Sequence, residues 1–218
     1  MDRLTRPRIL IGVVVVLAAG VGAFLLFGRG STSGLPPELA QIEKLREKGD
    51  IAAVAARVSD PREEVARYAV GALARLGPGS ASEIRRAMED PRPRVREQAA
   101  TSFAQVSRYP EAAPLAKMAR EDPSADVRAA AVSGLNRMGA FGEMDTFLAA
   151  MDDPDAIVRR RAGEAAKRFA CADVRFRAED PPEKRQAAVQ TLRDLWQKEK
   201  DLACKRWPGI LAEQEKHR

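Results

Sequence analysis

The 218-residue chain has one histidine, two cysteines and 5% aromatic residues, and each shortage narrows what it can do. His217 is second from the end, in what reads as a solvated tail, so neither a Ser–His–Asp nor a Cys–His pair can form within a folded region. Glycine-rich phosphate loops are absent, and "GPGS" at 77–80 reads as a turn between helices. Glu143, Asp145, Asp152, Asp153 and Asp155 cluster in sequence and could offer oxygens to a hard metal ion, but helix ends and solvated faces account for them. No catalytic, metal-binding or cofactor-binding residue is therefore expected, and no cofactor. The scarcity of aromatics leaves a core of small and aliphatic side chains, which suits closely packed helices better than a sheet.

Charge of one sign is also missing from the middle of the chain. The formal net charge is +6. Residues 1–30 contribute +3, and residues 184–218, with nine basic and five acidic side chains, contribute +4. Residues 31–183 sum to −1, which argues against a nucleic-acid partner, since that needs a dense basic footprint.

One long uncharged run is present. "ILIGVVVVLAAGVGAFLLF", residues 9–27, would span about 28 Å as a helix, close to the thickness of a bilayer's hydrocarbon core, and has no polar face. Arg3, Arg6 and Arg8 precede it, and after Arg29 no Lys or Arg occurs until Lys44. The positive-inside rule then makes residues 1–8 a cytoplasmic tail, residues 9–27 a transmembrane anchor, and places the rest outside the cytoplasm, on the periplasmic or extracellular side. A cleaved signal peptide is the rival reading, because Val21-Gly22-Ala23 fits a small-residue cleavage site. The apolar run continues through "FLLF" beyond that site, which favours the anchor. "GRGSTSGLPP", residues 28–37, reads as a linker to a domain over 38–218.

Within that domain Asp-Pro recurs at 60, 90, 122, 153 and 180, a period of 27–32 residues that signals stacked helical repeats. Counting each Asp as zero, position +5 is Val65, Val95, Val127 and Val158, and +9 is Ala69, Ala99, Ala131 and Ala162. Position +13 is Leu73, Phe103, Leu135 and Ala166, and +16 is Leu76, Val106, Met138 and Phe169. These spacings lie on one helical stripe. Shorter apolar-periodic segments precede each Asp-Pro: "IAAVAARVS", "ASEIRRAME", "APLAKMARE" and "EMDTFLAAM". Each repeat is thus a helix, a tight turn and a second helix. Asp is expected to cap that second helix, with Pro as its first residue.

The pattern DPxxxVRxxAxxxLxxxG, over about residues 50–170, resembles the HEAT-like repeats also found in phycobilin lyases. The resemblance implies an all-α, right-handed solenoid of about four helical hairpins that binds partners. It also implies a ladder in which turn aspartates Asp60, Asp90, Asp122 and Asp153 pair with an arginine at +6. Arg96, Arg128 and Arg159 match; the first repeat has Ala66, so the ladder should be incomplete there. The fifth Asp-Pro opens a longer helix with Ala188, Leu192, Leu195 and Trp196 inward, expected to form a C-terminal cap from about residue 172. "PPELAQIEKLREKGD" should cap the other end. Cys171 and Cys204 would lie near enough for a disulfide if that long helix folds back near Lys205, where Trp207-Pro208-Gly209 offers a break; otherwise they are two unpaired thiols.

If the stripe faces the core, positions +8, +11 and +15 face away from the first helices, and the resemblance makes that face a concave groove. Position +8 is Tyr68, Gln98, Ala130 and Arg161; +15 is Arg75, Gln105, Arg137 and Arg168. Position +11 is Gly71, Thr101, Ser133 and Glu164. The groove is polar and grows basic towards its C-terminal end, which suits an acidic protein or peptide partner. The expected function is a membrane-anchored, non-catalytic scaffold. A small-molecule-binding or lyase-like accessory subunit is the alternative.

Overall fold

The computed structural model describes residues 34–216; the expected tail 1–8, the anchor 9–27, most of the linker and His217 lie outside them. Residues from Leu35 onward form one compact unit. Among the described residues there is no strand, and no helix is long and apolar enough to cross a membrane. The unit is an all-helical repeat solenoid. Its helices are α1 (Pro37–Glu47), α2 (Ile51–Ala56), α3 (Glu63–Arg75), α4 (Ala81–Ala87) and α5 (Pro93–Val106). Then follow α6 (Ala113–Glu121), α7 (Ala125–Met138), α8 (Met144–Ala150), α9 (Ala156–Ala170) and α10 (Pro182–Lys216).

The helices sort into two layers because the apolar stripe of each second helix needs cover. Helices α3, α5, α7 and α9 stack on one another, and α2, α4, α6 and α8 close the stripe side. Every residue at +5, +9 and +13 is buried, as are Val106, Met138 and Phe169 at +16; Leu76 is half-buried because it stands near the N-terminal end. Alanine at +9 has no exposed surface in any repeat, which lets neighbouring helices approach closely.

The Asp-Pro turns work differently from the expected cap. Each second helix starts three residues after its Asp, so the aspartate is not the N-cap and the proline is not the first helical residue. Instead the carboxylate accepts from the backbone N–H two residues on: Arg62 at 3.0 Å, Arg92 at 2.9 Å, Ser124 at 2.9 Å and Asp155 at 2.8 Å. This is an Asx turn, and proline inside it presets φ where no donor is required. Among the four second helices only α9 has a side-chain cap, from Asp155, which accepts from Ile157 and Val158.

The ends close differently. Gly49, with φ of 72°, follows α1 as Gly77 follows α3 and Gly139 follows α7, each in the left-handed region that favours glycine. Helix α1 packs on α3 and so stands where the second helix of a preceding repeat would stand. At the other end, residues 172–181 form a loop and α10 continues without interruption through Pro208 to Lys216. The expected break at Trp207-Pro208-Gly209 does not occur. Trp207 docks instead: it is 5% exposed, its ring meets Phe169 edge-on at 5.0 Å, and its indole N–H donates to the Phe169 carbonyl at 3.3 Å.

Candidate partner-binding face

Two sets of charged side chains run along the stacked second helices, one at the turns and one on the outer face. At the turns, Arg96 donates Nε and Nη2 to both carboxylate oxygens of Asp122, at 2.8 and 2.9 Å. Its Nη1 reaches the carbonyls of its own turn, Asp90 and Pro91, each at 3.0 Å. Arg128 repeats this on Asp153, at 2.7 and 2.9 Å, and on the Asp122 and Pro123 carbonyls. Arg96 and Arg128 therefore each clamp the aspartate of the next repeat and hold down their own turn. Both pairs are close to buried, with arginine side chains 13% and 12% exposed, and bidentate geometry satisfies the fork. Arg159 does not repeat the clamp on a carboxylate; its Nε bonds the Ala178 carbonyl at 2.7 Å, tying the loop 172–181 to α9.

Ala66 leaves a gap at the first repeat, and Arg92 fills it. Arg92 grips Asp90 of its own turn at 2.8 Å and reaches back to the carbonyls of Asp60 at 2.7 Å and Val58 at 2.9 Å. Asp60 is held by Arg62, which also reaches Glu38 of α1 at 2.5 Å. The hydrogen bonds from Arg62 bring the Asp60 carboxyl down to about 2. The Arg92 side chain likewise holds Asp90 below the usual carboxylate range, against an opposing effect of burial. Sequence reasoning missed Arg62 and Arg92, although arginine at +2 in only the first two repeats was the visible signal.

On the outer face the seven candidate residues separate into groups. Tyr68 and Arg75 are already engaged by the cap: both donate to Oε1 of Glu43 in α1, Tyr68 at 2.5 Å. Arg46 pairs with the other oxygen. Burial pushes Glu43 up, but the hydrogen bonds from Tyr68 and Arg46 and the charges of Arg75 and Arg46 outweigh it and hold the carboxyl low. Burial and the Glu43 hydrogen bond push Tyr68 up to about 12. Glu43 precedes Gly49 by six residues, as Gly71 precedes Gly77 and Ser133 precedes Gly139, so it occupies position +11 of a preceding repeat.

The same reach from +8 to the preceding +11 recurs. Gln98 lies over Gly71, its Nε2 3.7 Å from where a Cβ would sit, and it donates to Ser102 at 3.1 Å. Arg161 donates to Ser133 Oγ at 2.8 Å and the Ala129 carbonyl at 3.2 Å. Arg168 bonds Asn136 through its carbonyl at 2.8 Å and side-chain oxygen at 2.7 Å, and lies over the rings of Phe169 and Trp207. Arg161 and Arg168 each spend one of two terminal nitrogens on α7, and both stay half-exposed. Gln105 and Arg137 are exposed, and Ala130 is buried.

Cys171 ends α9 in the left-handed conformation and is an exposed free thiol; the side chain of Cys204 lies outside the described residues. Among the described residues no group of three or more His, Cys, Asp or Glu is placed to hold a metal ion.

Residues 51–136 match the family model for HEAT repeats. That stretch covers the first three helix pairs. No curated protein matches the chain. Among solved structures, a designed armadillo repeat protein is 19% identical over 71% of this chain and 85% of its own, with a TM-score of 0.46. The complex of CpcE and CpcF of phycocyanin lyase from Nostoc sp. PCC7120 is 16% identical over 66% and 97%, with a TM-score of 0.47. A designed armadillo repeat protein in complex with the peptide (KR)4 is 18% identical over 72% and 85%, with a TM-score of 0.48.

Proposed function

We propose that this chain is a membrane-anchored, non-catalytic scaffold that holds an acidic protein or peptide segment on the outer face of α3, α5, α7 and α9, outside the cytoplasm. The observation that carries the reading is the stacked layer itself. It repeats three outward positions per helix, and from α5 onward these offer donors from Gln105, Arg137, Arg161 and Arg168. Guanidinium forks on half-buried stems suit carboxylates. The arginine-flanked uncharged run at 9–27 supports the anchor and its orientation.

A photo-crosslinking residue at Gln105, in the full chain and in native membranes, should trap a discrete adduct. Arg137→Glu, at the exposed arginine that makes no structural bond among the described residues, should weaken that adduct while the melting temperature moves little. An adduct of undiminished yield would place the interface elsewhere. A C-terminal alkaline phosphatase fusion should be active; a silent one would reverse the orientation. The alternative, a small-molecule accessory, has in its favour an open hollow of about 500 Å³ beside Lys167, Arg168 and Cys171. Native mass spectrometry showing a bound organic molecule would favour it.

A further inference from the structure

After α9 the chain runs back along the helix it has just left. Phe176 covers Gly163, where a Cβ would stand 2.5 Å from its ring, and the Ala178 carbonyl accepts from Arg159 near the start of α9. Seven residues thus return along a stretch that twelve helical residues spanned, about 18 Å, so each advances roughly 2.6 Å, nearer the rise of a strand than of a helix. Burial alternates with the period of a strand. Ala172, Val174 and Phe176 pack on the core and Ala178 is buried, whereas Asp173, Arg175, Arg177 and Glu179 are exposed. Position +10 is Val70, Ala100 and Val132 in the other repeats, and the glycine at 163 is what leaves room for Phe176. The segment has a strand's geometry without a strand's partner. Among the described residues, the N–H groups of 173–177 and the carbonyls of 172–176 make no hydrogen bond. An unpaired edge of this kind is a template for another extended chain.

We propose that residues 172–178 are a strand-addition site, at which an extended segment of a partner protein pairs through main-chain hydrogen bonds. The exposed charges select the occupant. They read acid, base, base, acid at Asp173, Arg175, Arg177 and Glu179. A second copy does not fit. Parallel in-register pairing sets every charge against its like, and antiparallel registers centred on Arg175, Phe176 or Arg177 each set arginine against arginine. The fitting segment carries two acids opposite the arginines and a base opposite each acid, with uncharged residues between. The open hollow beside Lys167 and Arg168, which Ala172 and Asp173 also line, leaves space for that segment to continue past the Asp173 end. This site stands apart from the outer face proposed above and does not rest on it.

The probe is the fluorescein-labelled peptide Lys-Thr-Glu-Val-Glu-Thr-Lys, titrated by anisotropy against the full chain in non-ionic detergent. It should bind, and the charge-reversed Glu-Thr-Lys-Val-Lys-Thr-Glu should bind about tenfold more weakly, since four opposed pairs become four like ones. Arg175→Glu with Arg177→Glu should invert that preference. Neither guanidinium has a hydrogen bond or ion pair among the described residues, so the melting temperature should hold. Arg86→Glu with Lys117→Glu, exposed on α4 and α6, changes the net charge equally and should shift affinity by under about twofold. Two N-methylated versions of the first peptide, blocked at alternate residues in opposite phase, keep the charges and test the pairing itself. One should lose binding by about tenfold and the other keep it, because only alternate N–H groups face the neighbouring strand. Amide exchange at 173–177, fast in the free chain, should slow at alternate residues when the peptide is bound. Equal affinities for the two N-methylated peptides would overturn the site, as would failure of the first peptide to bind. Protection confined to α3, α5 and α7 would assign the peptide to the outer face and overturn strand addition.

Discussion

The N-terminal end of the repeat unit is closed by polar side chains around a short helix, whereas the C-terminal end is closed by aromatic rings under a long one. At the first, Glu43 gathers Tyr68, Arg75 and Arg46, Glu38 meets Arg62, and Gln41 accepts from Arg57 at 2.7 Å; Ile42 is fully buried beneath them. At the second, Phe147 stacks on Phe169, Trp207 meets Phe169 edge-on, and the Phe176 ring lies where a Cβ on Gly163 would come within 2.5 Å of it. The difference follows from what each end must cover. Helix α3 exposes Tyr68 and Arg75, which need a counterion; α9 ends in Phe169 and Ala170, which need apolar cover. A solenoid repeats its middle, but its ends are bespoke, because each must replace a neighbour that is not there.

The largest break in that comparison should come from the aromatic end. Trp207→Ala removes a buried indole and the donor to the Phe169 carbonyl, and should destabilise by about 3–5 kcal/mol. Because stacked repeats unfold from their ends, the loss should localise. Hydrogen exchange should rise over α8, α9 and α10 and stay near its original level over α1 to α4. A uniform rise would show that the solenoid unfolds as one unit and that the ends are not separable.

The middle should respond less. Arg128→Ala strips Asp153 of its fork in a nearly buried seam and should cost about 1–3 kcal/mol in thermal or urea unfolding. Arg62→Ala, at the exposed N-terminal pairing with Asp60 and Glu38, should cost less than Arg128→Ala in the same experiment, because solvent screens it. Equal losses for the two would mean that burial does not set the strength of the ladder.

These contrasts also mark how far the sequence could be read. The stripe at +5, +9, +13 and +16, the hairpin order and the existence of both caps were legible, because apolar periodicity reports which face needs cover and that requirement is local. The +6 ladder came with the resemblance; the direction of each clamp, forward onto the next aspartate, needed coordinates. The Asp-Pro turn was misread because a capping Asp and an Asx-turn Asp accept from donors only one or two residues apart. Glu43 was passed over because nothing local distinguishes it from Glu38 or Glu47 in the same helix. Its role depends on Tyr68 and Arg75, 25 and 32 residues away. The continuity of α10 through Pro208 was hidden for another reason. A proline usually ends a helix, and here the docking of Trp207 on Phe169 outweighs that tendency.

Acid should separate the two ends more gently than mutation does. Glu43, Asp60 and Asp90 all have carboxyl groups held below their ordinary values by arginine or tyrosine contacts in the N-terminal half. A depressed folded value stabilises the fold above the unfolded value, about 4 for these groups, and that stability is lost as pH falls through the folded value. For Asp60 the window runs from about 4 down to about 2. Pepsin sites mapped between pH 4.5 and 2.5 should therefore open first over α1 to α3. First cuts in α8 to α10 would contradict the assignment.

The smallest effect tests whether the N-terminal cap depends on its inner face alone. Lys44 lies beside Glu43 in the sequence of α1 but is exposed and faces away from α3, so Lys44→Ala should change stability by under about 0.5 kcal/mol. Glu43→Gln keeps the shape of the side chain and removes the charge that Arg75 and Arg46 meet, so it should cost more than Lys44→Ala in the same melting experiment at neutral pH. The two must also diverge with pH. The Lys44→Ala protein should keep the acid loss of the unaltered chain. In Glu43→Gln the acid loss should shrink, because the group that gains a proton there is gone. If both variants melt with the original chain at every pH, Glu43 merely lies against Tyr68 and Arg75 and does not fasten the cap.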